Sequence, residues 1–147
     1  MKIALASDVH LEFGPISFEN TENVEVLILS GDICVAKDFD EKTRKFFKEC
    51  SERFPHVVYV MGNHEHYGGD YQLTEKKLRA DLSEFSNIHL LEKGIFSTAE
   101  YTFIGATIWT DMNKNDPNTL WHVKRIDRKS TRLNSSHVRT SRMPSSA

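Results

Sequence analysis

Three short clusters in this 147-residue chain carry side chains able to do chemistry: Asp8-Val9-His10, Gly31-Asp32 and Gly62-Asn63-His64-Glu65. Asp8 and His10 alternate about Val9, a spacing that sends two side chains toward one ion. Asp32 follows a glycine, so backbone can approach closely, and its two carboxylate oxygens can bridge two ions. Asn63 adds a neutral carbonyl oxygen. A mixed nitrogen and oxygen set suits manganese, iron or zinc and argues against an all-oxygen calcium cage. His64 sits next to Asn63 and is expected to leave in another direction, toward substrate.

Each cluster follows a short apolar run. Residues 2–7, 24–30 and 56–61 read as three buried strands, stopped in turn by polar loop, by Gly31-Asp32 and by Gly62-Asn63. In open α/β sheets, ligands bind at the carboxyl ends of the strands. Neighbouring strands lie about 5 Å apart, so clusters distant in sequence converge on one volume. Isolated, each cluster has an ordinary explanation as a turn, since Gly, Asp and Asn are common turn formers. The ordered set, one cluster per strand end, is what points to a site.

The remaining pattern supplies the scaffold. Phe46, Phe47, Cys50 and Phe54 form one apolar face of a helix over 39–53, with Asp38 as its expected cap and Glu41 completing a capping box. Strand, helix, strand in this order implies a parallel pair with a right-handed crossover. A second helix is expected over 71–85, with Tyr71, Leu78, Leu82 and Phe85 inward and Asp70 as cap. Short strands follow at 88–91, 95–97 and 101–108, then a polar loop holding Pro117, then a helix beginning at 119–126. His56 and His89 open strands at the far end of the sheet and read as structural or exposed. His122 reads as an ordinary helix histidine.

Hydrophobic residues make up 39% of the chain and charged residues 27%, a globular balance. No apolar run approaches the roughly 18 residues a membrane span needs, and the N-terminal run is too short for a signal-peptide core. A cytoplasmic home is the expectation. Two cysteines, Cys34 and Cys50, give no disulfide framework. Cys50 points inward. Cys34 lies beside Asp32 with no second thiolate near it in sequence, which disfavours a thiolate metal site.

Residues 127–147 differ from the rest. They hold five Lys or Arg against one Asp, and six of the 21 residues are Ser. The chain's net charge of -2 therefore leaves -6 on residues 1–126. No helix or strand period holds across the tail, so it has little apolar area to offset ordering. The segment resembles an in-frame translation of a common sequencing adapter. The expected division is residues 1–126 as native domain and 127–147 as a non-native, disordered tail.

Together the three clusters make residues 1–126 resemble the calcineurin-like metallophosphoesterase family. That family reads Asp-x-His, then Gly-Asp with a second Asp three residues on, then Gly-Asn-His-Asp/Glu, then a lone His and Gly-His-x-His. The resemblance implies a truncated calcineurin-like α/β-β/α sandwich with a parallel or mixed central sheet and flanking helices. It implies two divalent ions, manganese first, with iron or zinc as alternatives. Asp8 and His10 would hold one ion, Asp32 would bridge both, and Asn63 would hold the second. A bridging hydroxide would attack phosphorus, with His64 donating to the phosphate as the catalytic histidine.

Two departures qualify that expectation. Val35 stands where the family has an Asp that orients the histidine, and Asp38 is too far along to replace it by spacing. The later histidine ligands do not appear in the sequence, and His137 lies in the adapter-like tail. Little or no hydrolase activity is therefore expected of the polypeptide as it stands. The expected substrate is a small phosphoester or a nucleotide. Nucleic acid is disfavoured by the -6 charge and the lack of a basic stripe beside the motifs. A metal-free binding or scaffold protein on the same fold and a nuclease within the family are the alternatives. His66, Tyr67 and Tyr71 either shape a substrate mouth or pack their loop. Trp109, Thr110 and Asp111 could border the same crevice. The sequence sets no oligomeric state.

Overall fold

Val26, Leu27, Ile28 and Leu29 offer no polar side chain to either face of a sheet, and they form an interior strand. In the computed structural model, which describes residues 1–109 and 112–122, this strand is β2 (Val26–Ser30). It lies between β1 (Ile3–Ala6) and β3 (His56–Val60), and β4 (Ile88–Leu90) flanks β3. All three pairings are parallel, with Leu5 opposite Ile28 and Leu29 opposite Tyr59. The chain divides into two units, Met1–Thr107 and Ile108–Ala147.

Strand alternation sends Leu27, Leu29, Val57 and Tyr59 to one face of the sheet. There they meet α1 (Glu41–Arg53) and α2 (Tyr71–Asp81) through Phe46, Phe47, Cys50, Leu78 and Leu82. The inward face expected of the first helix is therefore the observed one. Both described helices of this unit join that single cluster. The opposite face, with Val26 and Val58, meets an antiparallel hairpin of β5 (Gly94–Ser97) and β6 (Thr102–Gly105) through Phe96 and Phe103. The result is an α/β fold with a central sheet flanked by helices, the calcineurin-like arrangement expected.

Several boundaries shift for local reasons. Residues Ala36–Asp38 form a separate 3-10 turn, so α1 starts two residues later and Asp40, not Asp38, caps it. Asp40 Oδ1 accepts from the Thr43 backbone nitrogen at 2.9 Å and from the Thr43 hydroxyl at 3.0 Å. Asp70 caps α2 as expected, accepting from the Gln72 nitrogen at 2.8 Å. That helix stops at Asp81 because Leu82 closes it and Ser83 turns its hydroxyl onto the Ala80 carbonyl. The strand expected over 101–108 ends at Gly105. Beyond it the Thr107 hydroxyl donates to the Met61 carbonyl at 2.8 Å and ties the segment to the end of β3.

His56 opens β3 and His89 lies within β4. Both rings pack on Phe96, at 5.1 and 3.7 Å between centroids. Their Nδ1 and Nε2 atoms respectively are buried without a hydrogen-bond partner. In the second unit, Met112–Asn115 includes a left-handed turn, with Asn113, Lys114 and Asn115 at positive φ. Helical turns then run over 117–122, capped by Asp116, whose carboxylate accepts from the Thr119 nitrogen at 2.8 Å. Pro117 opens these turns instead of belonging to the loop, because the first helical position needs no N–H. His122 is exposed on them. Thr110, Asp111 and the rest of the helix expected to 126 lie outside the described residues, as does the tail.

Candidate metal centre

The ends of β1, β2 and β3 meet because backbone pairing continues past the strands. Asp8 donates its N–H to the Gly31 carbonyl at 3.0 Å, His10 to Asp32 at 3.0 Å, and Leu11 to Ile33 at 2.9 Å. Asp8, His10 and Asp32 all hold positive φ, at 54°, 49° and 55°. Such residues are uncommon outside glycine, and Asp and His are among the types that tolerate it best. Backbone of this kind clusters at functional sites.

Asp32 is fixed from the third strand. Its Oδ1 accepts from the His64 backbone nitrogen at 2.8 Å. Gly62 makes this approach possible, since a Cβ there would stand 2.2 Å from that same oxygen. Ligand atoms of His10, Asp32 and His64 then lie within 4.8 Å of one another, at half-buried positions. Two imidazoles and a carboxylate at that separation form a donor set suited to a first-row divalent cation.

The expected ligands are therefore only partly gathered by this cluster. His10 and Asp32 belong to it. Asp8 flanks it, with Oδ1 4.0 Å from His10 Nε2 and its other oxygen accepting from the Ser7 hydroxyl at 2.6 Å. Asn63 donates its amide nitrogen to the Tyr67 hydroxyl at 3.1 Å, which leaves the carbonyl oxygen as its donor atom for a cation. His64, expected to turn away from the ligands, instead sits among them. The 3-10 turn His64–His66 and the bond to Asp32 hold it there, and its ring meets His10 edge-on at 4.3 Å.

Two carboxylates organise the site without having been singled out by the sequence. Glu65 is 1% exposed. It accepts from the backbone nitrogens of Asp32, Ile33 and Gly62 at 3.1, 2.8 and 2.7 Å and from the Tyr59 hydroxyl at 2.7 Å. Burial pushes its carboxyl above the ordinary value, against the pull of the Ile33 N–H, the Tyr59 hydroxyl and the Gly62 N–H. Glu12 faces both histidines, with Oε1 2.8 Å from His64 Nδ1 and 3.1 Å from His10 Nδ1. Burial opposes its ionisation, but its own N–H and the two histidines outweigh that and lower its pKa. The available signal was the alternation Asp8, His10, Glu12, which puts all three on one side of an extended segment.

Other candidates resolve simply. Tyr67 lies beside the His64 ring at 4.1 Å, whereas His66 is buried against Tyr71. Cys34 is buried with Sγ 3.8 Å from the Tyr59 hydroxyl, and burial raises its pKa strongly, so it offers no thiolate. Burial likewise pushes Cys50 up to about 12. Trp109 belongs to the second unit.

The sheet's strand ends thus converge on imidazole and carboxylate groups that could hold a metal ion. The calcineurin-like phosphoesterase profile matches residues 1–139, past the boundary expected at Ile126, and the chain belongs to that family. It is similar to the uncharacterized protein L509 of Acanthamoeba polyphaga mimivirus, at 29% identity over 145 residues. That alignment covers 82% of this chain and 51% of the relative. In fold it is similar to the phosphopantetheinyl hydrolase of Mycobacterium tuberculosis, with a TM-score of 0.59 and 14% identity. There 92% of this chain matches 53% of the other. The chain thus spans about half the length of both. Among the described residues, no helix is long and apolar enough to cross a membrane.

Proposed function

We propose that this chain carries the first half of a dinuclear centre that hydrolyses phosphoesters. The observation carrying this reading is the 4.8 Å cluster of His10, Asp32 and His64 at the ends of adjacent parallel strands. Asp8 and His10 would hold one cation, Asp32 would bridge, and Asn63 would hold the second through its carbonyl oxygen. The donor chemistry fits manganese, with iron or zinc as alternatives. Bound cations would supply Lewis acidity and a nucleophilic water near neutral pH.

The chain's own residues do the rest. The His64 backbone N–H fixes the Asp32 carboxylate, and the His64 ring, when both its nitrogens are protonated, would offer its Nε2 proton to a phosphoryl oxygen or leaving group while Nδ1–H stays on Glu12. Tyr67 borders that ring and orients Asn63. A small phosphoester or nucleotide is the substrate class, since the -6 charge on residues 1–126 disfavours a large nucleic-acid surface. A cytoplasmic location is supported by two free, buried cysteines.

The sequence contains no Gly-His-x-His, so this polypeptide is expected to bind manganese weakly and to turn over aryl phosphates slowly or not at all. Manganese titration followed by electron paramagnetic resonance, on the chain and on Asp32→Asn, tests the centre. Binding that disappears in the variant supports it, and equal behaviour overturns it. Robust turnover abolished by the same substitution would overturn the expected inactivity. Residues 127–147 are read as foreign to the gene, and genomic sequence across codon 126 tests that directly.

A further inference from the structure

We infer that Glu12 is the positioning residue of this centre, setting the tautomer and orientation of His64 and His10 in place of the acid missing at position 35. The inference rests on the metal-centre reading above. One oxygen, Glu12 Oε1, lies within hydrogen-bond distance of Nδ1 on both rings. An ionised carboxylate only accepts, so each Nδ1 carries the proton and each Nε2 is left with its lone pair. Across an imidazole the two nitrogens face nearly opposite ways, so anchoring Nδ1 at Glu12 turns Nε2 away from it. For His10 this is seen directly, since its Nε2 lies on the Asp8 side at 4.0 Å.

The position is built for the task. Glu12 and His64 side chains are 23% and 20% exposed, so the bond is partly shielded from water. It joins the segment after β1 to the turn after β3, 52 residues away. Val35 has no group to offer, and Asp38 is exposed in its 3-10 turn. A fully exposed ion pair would contribute little. Here one carboxylate holds two rings that already touch edge-on, and outer acceptors of this kind fix ring orientation and ligand basicity.

The test is long-range proton–nitrogen correlation NMR of the chain labelled at histidine, recorded without metal where the imidazoles are neutral. His10 and His64 should show the Nδ1–H tautomer, which free histidine disfavours. Glu12→Ala should move both toward the Nε2–H form, and Glu12→Gln, which keeps an acceptor oxygen, should largely restore the original pattern. Manganese affinity should fall about 10- to 100-fold in Glu12→Ala and less in Glu12→Gln. An Nε2–H tautomer at His64 in the unsubstituted chain overturns the inference even if the alanine variant does not fold. So does a Glu12→Ala spectrum that leaves both tautomers unchanged while manganese still binds. Tautomers that respond to Glu12 with no manganese binding would leave Glu12 its role and remove the metal-centre reading instead.

Discussion

The Glu65 carboxylate accepts the Ile33 backbone N–H at 2.8 Å, joining the loop after β3 to the loop after β2. With Asp32, Gly62 and Tyr59 it forms a four-donor web around one buried side chain. Glu65→Ala would leave those donors buried and unmatched, at about 1–3 kcal/mol for each that water cannot reach. The expected loss is at least about 3 kcal/mol, comparable to a large core truncation, read from the urea midpoint followed by circular dichroism. A loss below about 1 kcal/mol would show that water replaces the carboxylate.

Gly62→Ala separates site from scaffold. Its methyl carbon would stand 2.2 Å from Asp32 Oδ1 and 2.6 Å from the Asp32 nitrogen, so the carboxylate must move. Overpacking of this kind costs about 1–3 kcal/mol. Manganese binding is expected to fall at least about tenfold, in line with the loss of a positioned ligand. Unchanged affinity, measured by calorimetry, would argue that Asp32 is not a ligand.

Asp40 gives a helix cap with a predictable pH signature. The Thr43 N–H holds its carboxyl below the ordinary value, with burial opposing and the Thr43 hydroxyl assisting. A depressed folded pKa means the stabilisation is present above the unfolded value near about 4 and is lost as pH falls through the folded value. Asp40→Ala should therefore cost about 1 kcal/mol at neutral pH. The two proteins should converge in urea midpoint as both are acidified.

His89 works in the opposite direction from a paired histidine. Burial first, and the neighbouring His56 second, lower its pKa below 6.5. The unfolded chain takes up this proton near about pH 6.5 while the folded chain still resists. Within that window the unfolded state binds more protons, so stability falls as pH falls, until the folded value is passed. His89→Gln, which does not titrate, should flatten the midpoint against pH between 7 and 5. An identical slope in both proteins would place the pH sensitivity elsewhere.

Much of this was legible because it is local. The polar clusters after residues 7, 30 and 61 mark strand ends through simple apolar-to-polar transitions, and the inward face of α1 follows from one helical period. The cap of α1 was read two residues early, because Ala36–Asp38 spends Asp38 in its own turn. Glu65 was visible in its motif but not its work, since its acceptor role joins residues 32 and 33 positions away. Glu12 escaped for the same reason, with its partner His64 52 positions distant. Residue spacing reports what an element can present, and only the folded pairing decides what it meets.

The left-handed backbone at Asp8, His10 and Asp32 bears on how the centre should be dissected. An alanine scan there would confound two losses, because alanine lacks the donor atom and also resists that conformation by about 1–2 kcal/mol. Asparagine keeps the conformational tolerance, removing the charge and exchanging one acceptor oxygen for an NH2 donor. At Asp8 and Asp32, aspartate-to-asparagine exchange is therefore the substitution whose readout is free of backbone strain.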